Sequence, residues 1–294
     1  MSLSMSKSMR KAMAGTLYVV ATPIGNLADI TMRALSTLRE VDLIAAEDTR
    51  VTHHLLKHYG IDTPTTPYHQ HSLGRKAEKL IQMMNEGKNI ALVSDAGTPG
   101  VSDPGHEIIT AAIAQDIPIV VIPGPSAVIT ALVASGLPTQ RFTFEGFPPR
   151  RAGERRAYFT ALKDEPRTMV FYEAPHRVES TLADMRTVWG ERNIAVVREA
   201  TKIFEEVLRG TTGDAVERFK QVAPRGEFTI VVEGSSSVKE TTSEDQIKES
   251  LQDLLNQGMT ERDAVKGVMA IHAIPKNEVY RLMVELKRES SDEK

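Results

Sequence analysis

The sequence predicts an α/β protein built on a parallel sheet with right-handed crossovers. Short apolar runs alternate with amphipathic segments through the first half of the chain. Three junctions rich in glycine and proline, at 22–26, 94–105 and 123–126, each follow one of those runs. In one parallel sheet such junctions lie along the same edge, so distant parts of the chain would line one cleft.

Thr16 to Ala21 (TLYVVA) reads as a buried strand, running into the tight turn Thr22-Pro23-Ile24-Gly25-Asn26 and then a helix over 31–40. Asp42 to Ala46 is a second strand, ending at Glu47-Asp48-Thr49-Arg50 and followed by a helix with Leu55 and Leu56 on its apolar side. A helix over 76–86 feeds the strand 90–93. That strand opens into Ser94-Asp95-Ala96-Gly97-Thr98-Pro99-Gly100-Val101-Ser102-Asp103-Pro104-Gly105, which holds far more turn residues than a connection needs. Glycine there permits positive φ and the close approach of a ligand. Asp103 before Pro104 reads as a helix N-cap followed by proline at the first helical position. A strand over 117–122 (IPIVVI), the turn Pro123-Gly124-Pro125-Ser126 and an apolar helix through Ala134 complete this half.

The character changes around Ser135-Gly136-Leu137-Pro138. Residues 141–149 lead into Arg150, Arg151, Arg155 and Arg156 and a helix over 153–162. Strands are predicted over 168–172 (TMVFY), 194–198 (IAVVR), 204–209 and 228–233, the last two flanking a helix over 212–222. This half reads as a smaller α/β domain of mixed strand direction. Residues 234–243 (GSSSVKETTS) have the composition of a linker. Three helical patterns follow, carrying Ile247, Leu251, Leu254 and Leu255, then Ala264, Val265, Val268 and Met269, then Val279, Leu282, Met283 and Leu286. Ser243 with Gln246 reads as a capping box before the first, and Thr260 with Asp263 before the second. Turns at Gly258 and at 273–275 separate them. The division predicted is a first α/β domain over 15–125, a second over 126–235, and a helical module over 243–290. The module suits a helix-turn-helix-like unit; a packing appendage or dimer contact is the alternative.

The totals exclude several classes. A formal net charge of −3 argues against a uniformly basic nucleic-acid binder, so such a partner would be met by a local patch. With no cysteine there is no disulfide, thiolate zinc site or cysteine nucleophile, in keeping with a cytoplasmic location. No stretch of about 18 apolar residues suggests a membrane span. The polar start, Met1 to Ala14, lacks the apolar core of a signal peptide and is left out of the fold.

ATPIGN, IAAEDTR, SDAGTPGVSDPG, PGPSAVITALVASGLP, FEGFPPR, YEAPHR and GEFTIVVEG occur in this order. Together they resemble the ribosomal RNA small-subunit methyltransferase I family, which is similar in fold to the tetrapyrrole (precorrin) methyltransferases, the class III S-adenosylmethionine-dependent enzymes. The resemblance covers residues 15–235, and the remaining segment resembles that family's C-terminal helical module. It implies a two-domain, tetrapyrrole methylase-like α/β methyltransferase with a C-terminal three-helix module. It also implies 2′-O-methylation of a cytidine in the decoding region of 16S rRNA, a homodimer, and S-adenosylmethionine folded between two α/β domains. Composition and spacing do not name that cofactor; they reach only a small-molecule cleft at strand ends. Carried over by position, Gly97, Thr98, Pro99, Val101 and Ser102 match the cofactor loop. Ser126 and Ala127 match a second loop, and Pro23 the first. Tyr172 and Thr229 sit where the second domain would cover the adenosyl group. The tetrapyrrole relatives favour a more glycine-rich first turn than Thr22 to Asn26, a departure that suits a different substrate.

A ribose 2′-hydroxyl is a poor nucleophile, whereas a sulfonium methyl is already activated, so the enzyme chiefly aligns oxygen, carbon and sulfur. A general base adds roughly 10²–10⁴-fold. Charged groups at strand ends are Glu47, Asp48 and Arg50, and Glu173, Glu199 and Lys202. Asp48 is the expected proton acceptor, with Arg50 or Lys202 holding a phosphate. A helix cap or surface ion pair is the alternative for any one carboxylate. Asp95 and Asp103 read as loop architecture and a cap. Arg150, Arg151 and Arg155, with Arg141 and Arg156 and the interleaved Phe147, Tyr158 and Phe159, form a candidate RNA patch; a solvated helix start is the alternative. His54 and His58 have a spacing that can hold a metal, but without HExxH or cysteine none is expected. Two other functions share parts of this pattern. A methyltransferase on a tetrapyrrole or other small molecule should lack the arginine patch and the helical module. A non-catalytic RNA or nucleotide binder would transfer no methyl group.

Overall fold

A computed structural model describes residues 14–69, 73–221, 223–235, 244–272 and 276–292. The chain divides into two compact units after Gly234. In the first unit, β1 (Leu17–Val20), β2 (Leu43–Ala46), β3 (Thr65–Pro67), β4 (Ile90–Val93) and β5 (Ile119–Ile122) form a sheet in the order β3-β2-β4-β1-β5. Every pairing in it is parallel. Helices α1 (Met32–Glu40), α2 (Thr49–His58), α3 (Leu73–Asn85) and α4 (His106–Ala114) fill the crossovers.

All four residues of β4 are buried, as the near-continuous apolar runs of a parallel sheet covered on both faces require. Leu17, Leu92, Met84 and Ile108 pack in one cluster, and Val20, Leu38, Ile44 and Val93 in another. In register, Leu17 stands opposite both Ile90 and Ile119, so β4, β1 and β5 run side by side and the three glycine/proline junctions open next to one another. The edge strand β3 escapes the sequence pattern: Thr65-Thr66-Pro67 is short, and its proline is tolerated only at a sheet edge. α4 begins two residues later than expected. Its N-cap is Gly105, at φ 148° and with no side-chain cap, so Asp103 is not the helix cap the Asp-Pro pair suggested.

The second sheet comprises β6 (Phe142–Gly146), β7 (Thr168–Glu173), β8 (Asn193–Arg198), β9 (Glu206–Thr211) and β10 (Phe228–Val232), in the order β6-β7-β10-β8-β9. Only β6 and β7 pair in parallel. One face packs against α6 (Ala152–Ala161), α7 (Pro175–Trp189) and α8 (Thr212–Gln221) through Phe159, Phe171, Leu182, Trp189 and Val216. The indole N–H of Trp189 donates to the Phe159 carbonyl at 2.7 Å, satisfying the one polar atom of that ring inside the core. The other face is covered by α5 (Ala127–Ser135), whose Val128, Ala131 and Leu132 meet Val170, Val197 and Val231. Sequence patterning misses β6 and α7. α7 carries Val178, Leu182, Met185 and Trp189 at helical spacing, but Ala174 caps it without a side-chain acceptor, so the usual start signal is missing.

Beyond Gly234, α9 (Glu244–Asn256), α10 (Glu261–His272) and α11 (Lys276–Asp292) enclose their own core of Ile247, Leu251, Val265, Val268, Val279 and Leu282. The Thr260 hydroxyl accepts from the Asp263 amide at 3.3 Å, one half of the capping box expected before α10, and donates to Asp263 Oδ2 at 2.7 Å in place of the reciprocal amide contact. Most of the predicted linker, Ser243 of the first capping box and the turn at 273–275 lie outside the described residues. Among the described residues no helix is long and apolar enough to cross a membrane.

Candidate active site

The junctions after β1 and β4 are stitched together. The Thr22 amide donates to Gly97 O at 2.9 Å, the Gly97 amide donates to Thr22 O at 3.1 Å, and the buried Thr22 hydroxyl donates to Ser94 O at 3.0 Å. The 94–105 loop then doubles back on itself. A Cβ placed on Gly105, at φ 148°, would stand 3.1 Å from Gly100 N and 3.1 Å from Leu92 Cδ2, a tight fit on a backbone conformation that favours glycine. At the turn of this pinched loop Ser102 holds φ 61°, a conformation uncommon for a residue with a side chain. After β5, the Ser126 hydroxyl caps α5 by accepting from Ile129 N at 3.4 Å.

These junctions face residues of the second sheet across a cavity of about 380 Å³. Gly97, Thr98, Val101, Ser102, Ser126 and Ala127 line it from the first-sheet side, and Tyr172 and Thr229, register partners on β7 and β10, from the other. Pro23 and Pro99 are buried and do not line it. Tyr172 packs edge-on to Phe144 at 4.9 Å and tilted against Phe147 at 5.6 Å. Burial, with the charges of Asp103 and Glu227 nearby, pushes its hydroxyl up to about 12.

The charged residues at the strand ends have different fates. Asp48 caps α2, accepting from the Arg50 amide at 2.8 Å and the Arg50 guanidinium at 2.6 Å. That guanidinium holds the Asp48 carboxyl down at about 2. Asp48 does not line the cavity, and the Arg50 side chain is 88% exposed. The geometry therefore makes Asp48 a cap and ion-pair partner, not the poised base the sequence suggested. Lys202 reaches two carboxylates, Glu199 Oε1 and Glu227 Oε2, each at 2.9 Å. Asp95 ties the ends of β2 and β4 together: its carboxylate accepts from Asp48 N at 3.0 Å and its amide donates to Glu47 Oε2 at 3.4 Å. Asp103, which sequence reasoning set aside, lines the cavity. Burial pushes its carboxyl up to about 6, with Glu47 and Asp95 adding to the rise.

The arginine patch is smaller than expected. Arg155 is 4% exposed and binds Asp184 through Nε at 2.8 Å and Nη2 at 2.6 Å, so it belongs to the interior and cannot face RNA. Its place in the apolar phase of α6, four residues before Phe159, was the available signal. Arg150 and Arg151 are exposed, Arg151 with an ion pair to Glu154 at 3.1 Å. His54 and His58 lie on α2, and among the described residues they join no group of three or more metal-ligating side chains.

A double sheet with a cleft built from glycine/proline loops defines the class. The tetrapyrrole (corrin/porphyrin) methylases match over residues 16–216. Among solved structures, a cobalt precorrin-4 methyltransferase superposes with a TM-score of 0.58 at 19% identity, covering 79% of this chain and 98% of that one. A uroporphyrin-III C-methyltransferase from Thermus thermophilus gives a TM-score of 0.54 at 22% identity, covering 74% and 94%. The protein thus has the two-sheet fold of the tetrapyrrole methylases. The ribosomal RNA small subunit methyltransferase I of Synechocystis sp. is 44% identical over 93% of this chain and 99% of its own length. The enzyme of the same description from Bacillus subtilis is 45% identical over 92% and 94%. The chain belongs to the ribosomal RNA small subunit methyltransferase I family, and it is a methyltransferase.

Proposed function

We propose that the protein transfers a methyl group from S-adenosylmethionine to the ribose 2′-oxygen of a cytidine in the decoding region of 16S rRNA. The observation that carries the cofactor is the cavity: its volume of about 380 Å³ suits a nucleoside-sized ligand. The Thr98, Ser102 and Ser126 hydroxyls offer polar contacts, and Phe147 with Tyr172 offers ring faces for an adenine or a cationic sulfonium. Gly97 and Ala127 leave the backbone open to close approach, Val101 and Thr229 close the walls, and the buried Pro23 and Pro99 stiffen the loops behind them. The bound cofactor supplies a methyl group already activated on sulfur. RNA as substrate rests on the relatives, which are named for small-subunit ribosomal RNA, and on exposed Arg150 and Arg151 near the start of α6, three and four residues after the cavity residue Phe147.

The active form is a cytoplasmic homodimer on this reading. The large apolar side chains Ile113, Val121, Ile129 and Val133, exposed on α4, β5 and α5, support association. Sedimentation of the purified protein tests it.

The function is tested with methyl-labelled S-adenosylmethionine offered alongside naked 16S RNA, assembled small subunits or a tetrapyrrole extract. Label on a ribose, resistant to alkaline cleavage at one cytidine, is the expected result. Label in the extract alone would instead favour the chemistry for which the solved relatives are named.

A further inference from the structure

We propose that Asp103 is the general base of the reaction, its carboxylate taking the proton of the attacking hydroxyl. The inference rests on the 2′-O-methyltransferase reading above and assigns its missing catalytic group. Among the described residues three carboxylates line the cavity: Asp103, Glu173 and Glu227. Glu173 is fully engaged, with Oε1 accepting from the Ala174 amide at 2.8 Å and facing Arg177 Nε at 3.4 Å, and Oε2 accepting from the Thr181 hydroxyl at 2.6 Å. Its side chain has no exposed surface. Glu227 pairs with Lys202 at 2.9 Å. Among the described residues no cation pairs with Asp103, so only this carboxylate keeps lone pairs turned to the cavity without a positive partner to hold them.

The loop holds Asp103 in place. Ser102 at φ 61° precedes it, and the close approach of Gly105 to Gly100 shuts the loop behind it. The Ser94 hydroxyl, placed between the carbonyls of Ala96 at 3.2 Å and Gly97 at 3.4 Å, also reaches its carboxyl. The charged and titratable groups around it are Glu47 and Asp95 from the ends of β2 and β4, and Tyr172 from β7. Its own burial and the like charge of Glu47 and Asp95 raise its proton affinity towards neutrality, the range in which a base is both ionised and effective. Asp48, by contrast, is held at about 2 by Arg50 and lies outside the cavity.

The step balances without any further reactant. The ribose oxygen forms a bond to the methyl carbon as the carbon–sulfur bond breaks. The bonding pair leaves with sulfur, which becomes a neutral thioether, and the hydroxyl proton passes to an Asp103 oxygen and then to water. The ionised form is the active one, so the rate rises with pH through about 6 and levels above it.

The test is single-turnover transfer from labelled S-adenosylmethionine to small-subunit RNA between about pH 5 and 8, with cofactor affinity measured by calorimetry. Asp103→Asn is expected to lose about 10²–10⁴-fold in rate and its pH dependence near 6, while binding cofactor within about threefold of wild type. Asp103→Glu is expected to recover part of the rate, which a merely structural role would not produce. A loss smaller than about tenfold in Asp103→Asn, or a wild-type rate flat through pH 6, overturns the proposal. So does a fall in cofactor affinity that matches the fall in rate, which would make Asp103 a cofactor ligand. The position of the label in the wild-type product tests the underlying reading separately: label away from any 2′-oxygen removes that reading, and the proposal with it.

Discussion

The side chain of Lys202 crosses directly over the backbone of Gly25. A Cβ built on Gly25 would stand 2.4 Å from Lys202 Cγ and 2.9 Å from Lys202 Cε, so the turn after β1 has glycine where the lysine stem passes. Beyond the crossing, Lys202 Nζ holds Glu199 and the cavity residue Glu227. The crossing thereby links the first-sheet turn to the second-sheet wall. Gly25→Ala must displace the stem and loosen both ion pairs. The expected outcome is a cofactor Kd raised about fivefold, ~1 kcal/mol, by calorimetry. An unchanged Kd would reduce the crossing to packing.

Arg155 and Asp184 form an ion pair that water hardly reaches, at 5% and 12% side-chain exposure. Removing one partner of such a pair leaves the other charge buried and uncompensated. Arg155→Ala is expected to destabilise the protein by about 3–5 kcal/mol in urea unfolding, less what Arg156, 3.3 Å from the same carboxylate, can recover. Trp189, the single tryptophan, lies in the adjoining core and reports the transition by fluorescence. RNA affinity of the folded variant should stay at the wild-type level, because the guanidinium is interior.

The parallel sheet was readable because its strands are uninterrupted apolar runs and its junctions are crowded with glycine and proline; the strand 90–93 is found as read. Clefts at strand ends follow from that topology without any ligand in view. What escaped reading depends on contacts that spacing does not encode. α7 begins without a side-chain cap, and β6 carries a bulge at Gly146, φ 65°, that breaks its alternation. The arginines at 150, 151 and 155 look alike in sequence, yet one of them faces Asp184 in the interior. Asp48 and Asp103 likewise differ only by what surrounds them: Arg50 lies beside the first and a half-buried cavity wall surrounds the second. Local pattern located the acidic strand ends, and tertiary packing decided which carboxylate was left unpaired.

Arg150 and Arg151 are the exposed remainder of the patch. If each neutralises one phosphate, the charge-reversed pair Arg150→Glu and Arg151→Glu should weaken RNA binding and lower the slope of log K against log salt by about 0.7 for each phosphate no longer neutralised. Titrations of 16S RNA at several salt concentrations measure both quantities. Equal affinity and slope in wild type and variant would return these residues to the solvated surface.

Asp103 also leaves a mark on stability, independent of turnover. Its carboxyl binds a proton up to about pH 6 in the folded protein, against 3.8 for an unperturbed aspartate, so between those values the native state holds more protons than the unfolded chain. Stability contributed by this group therefore falls as pH rises from about 4 to 6, and changes no further above that range. Glu47 and Asp95, also raised by burial, add in the same direction, whereas Asp48, lowered by Arg50, stabilises at neutral pH and loses that effect only under acid conditions. Asp103→Asn removes the largest of the burial-driven contributions. Compared with wild type by urea unfolding, the variant should gain about 1 kcal/mol at pH 7, a figure reduced for the solvent screening of a half-buried group. The gain should shrink as pH falls through this range and approach zero only below about pH 3, where both states of the wild-type residue carry the proton. A difference between the two proteins that stays constant across that interval would mean the carboxyl titrates alike in the folded and unfolded chains, and would remove the electrostatic basis for a poised base at this position.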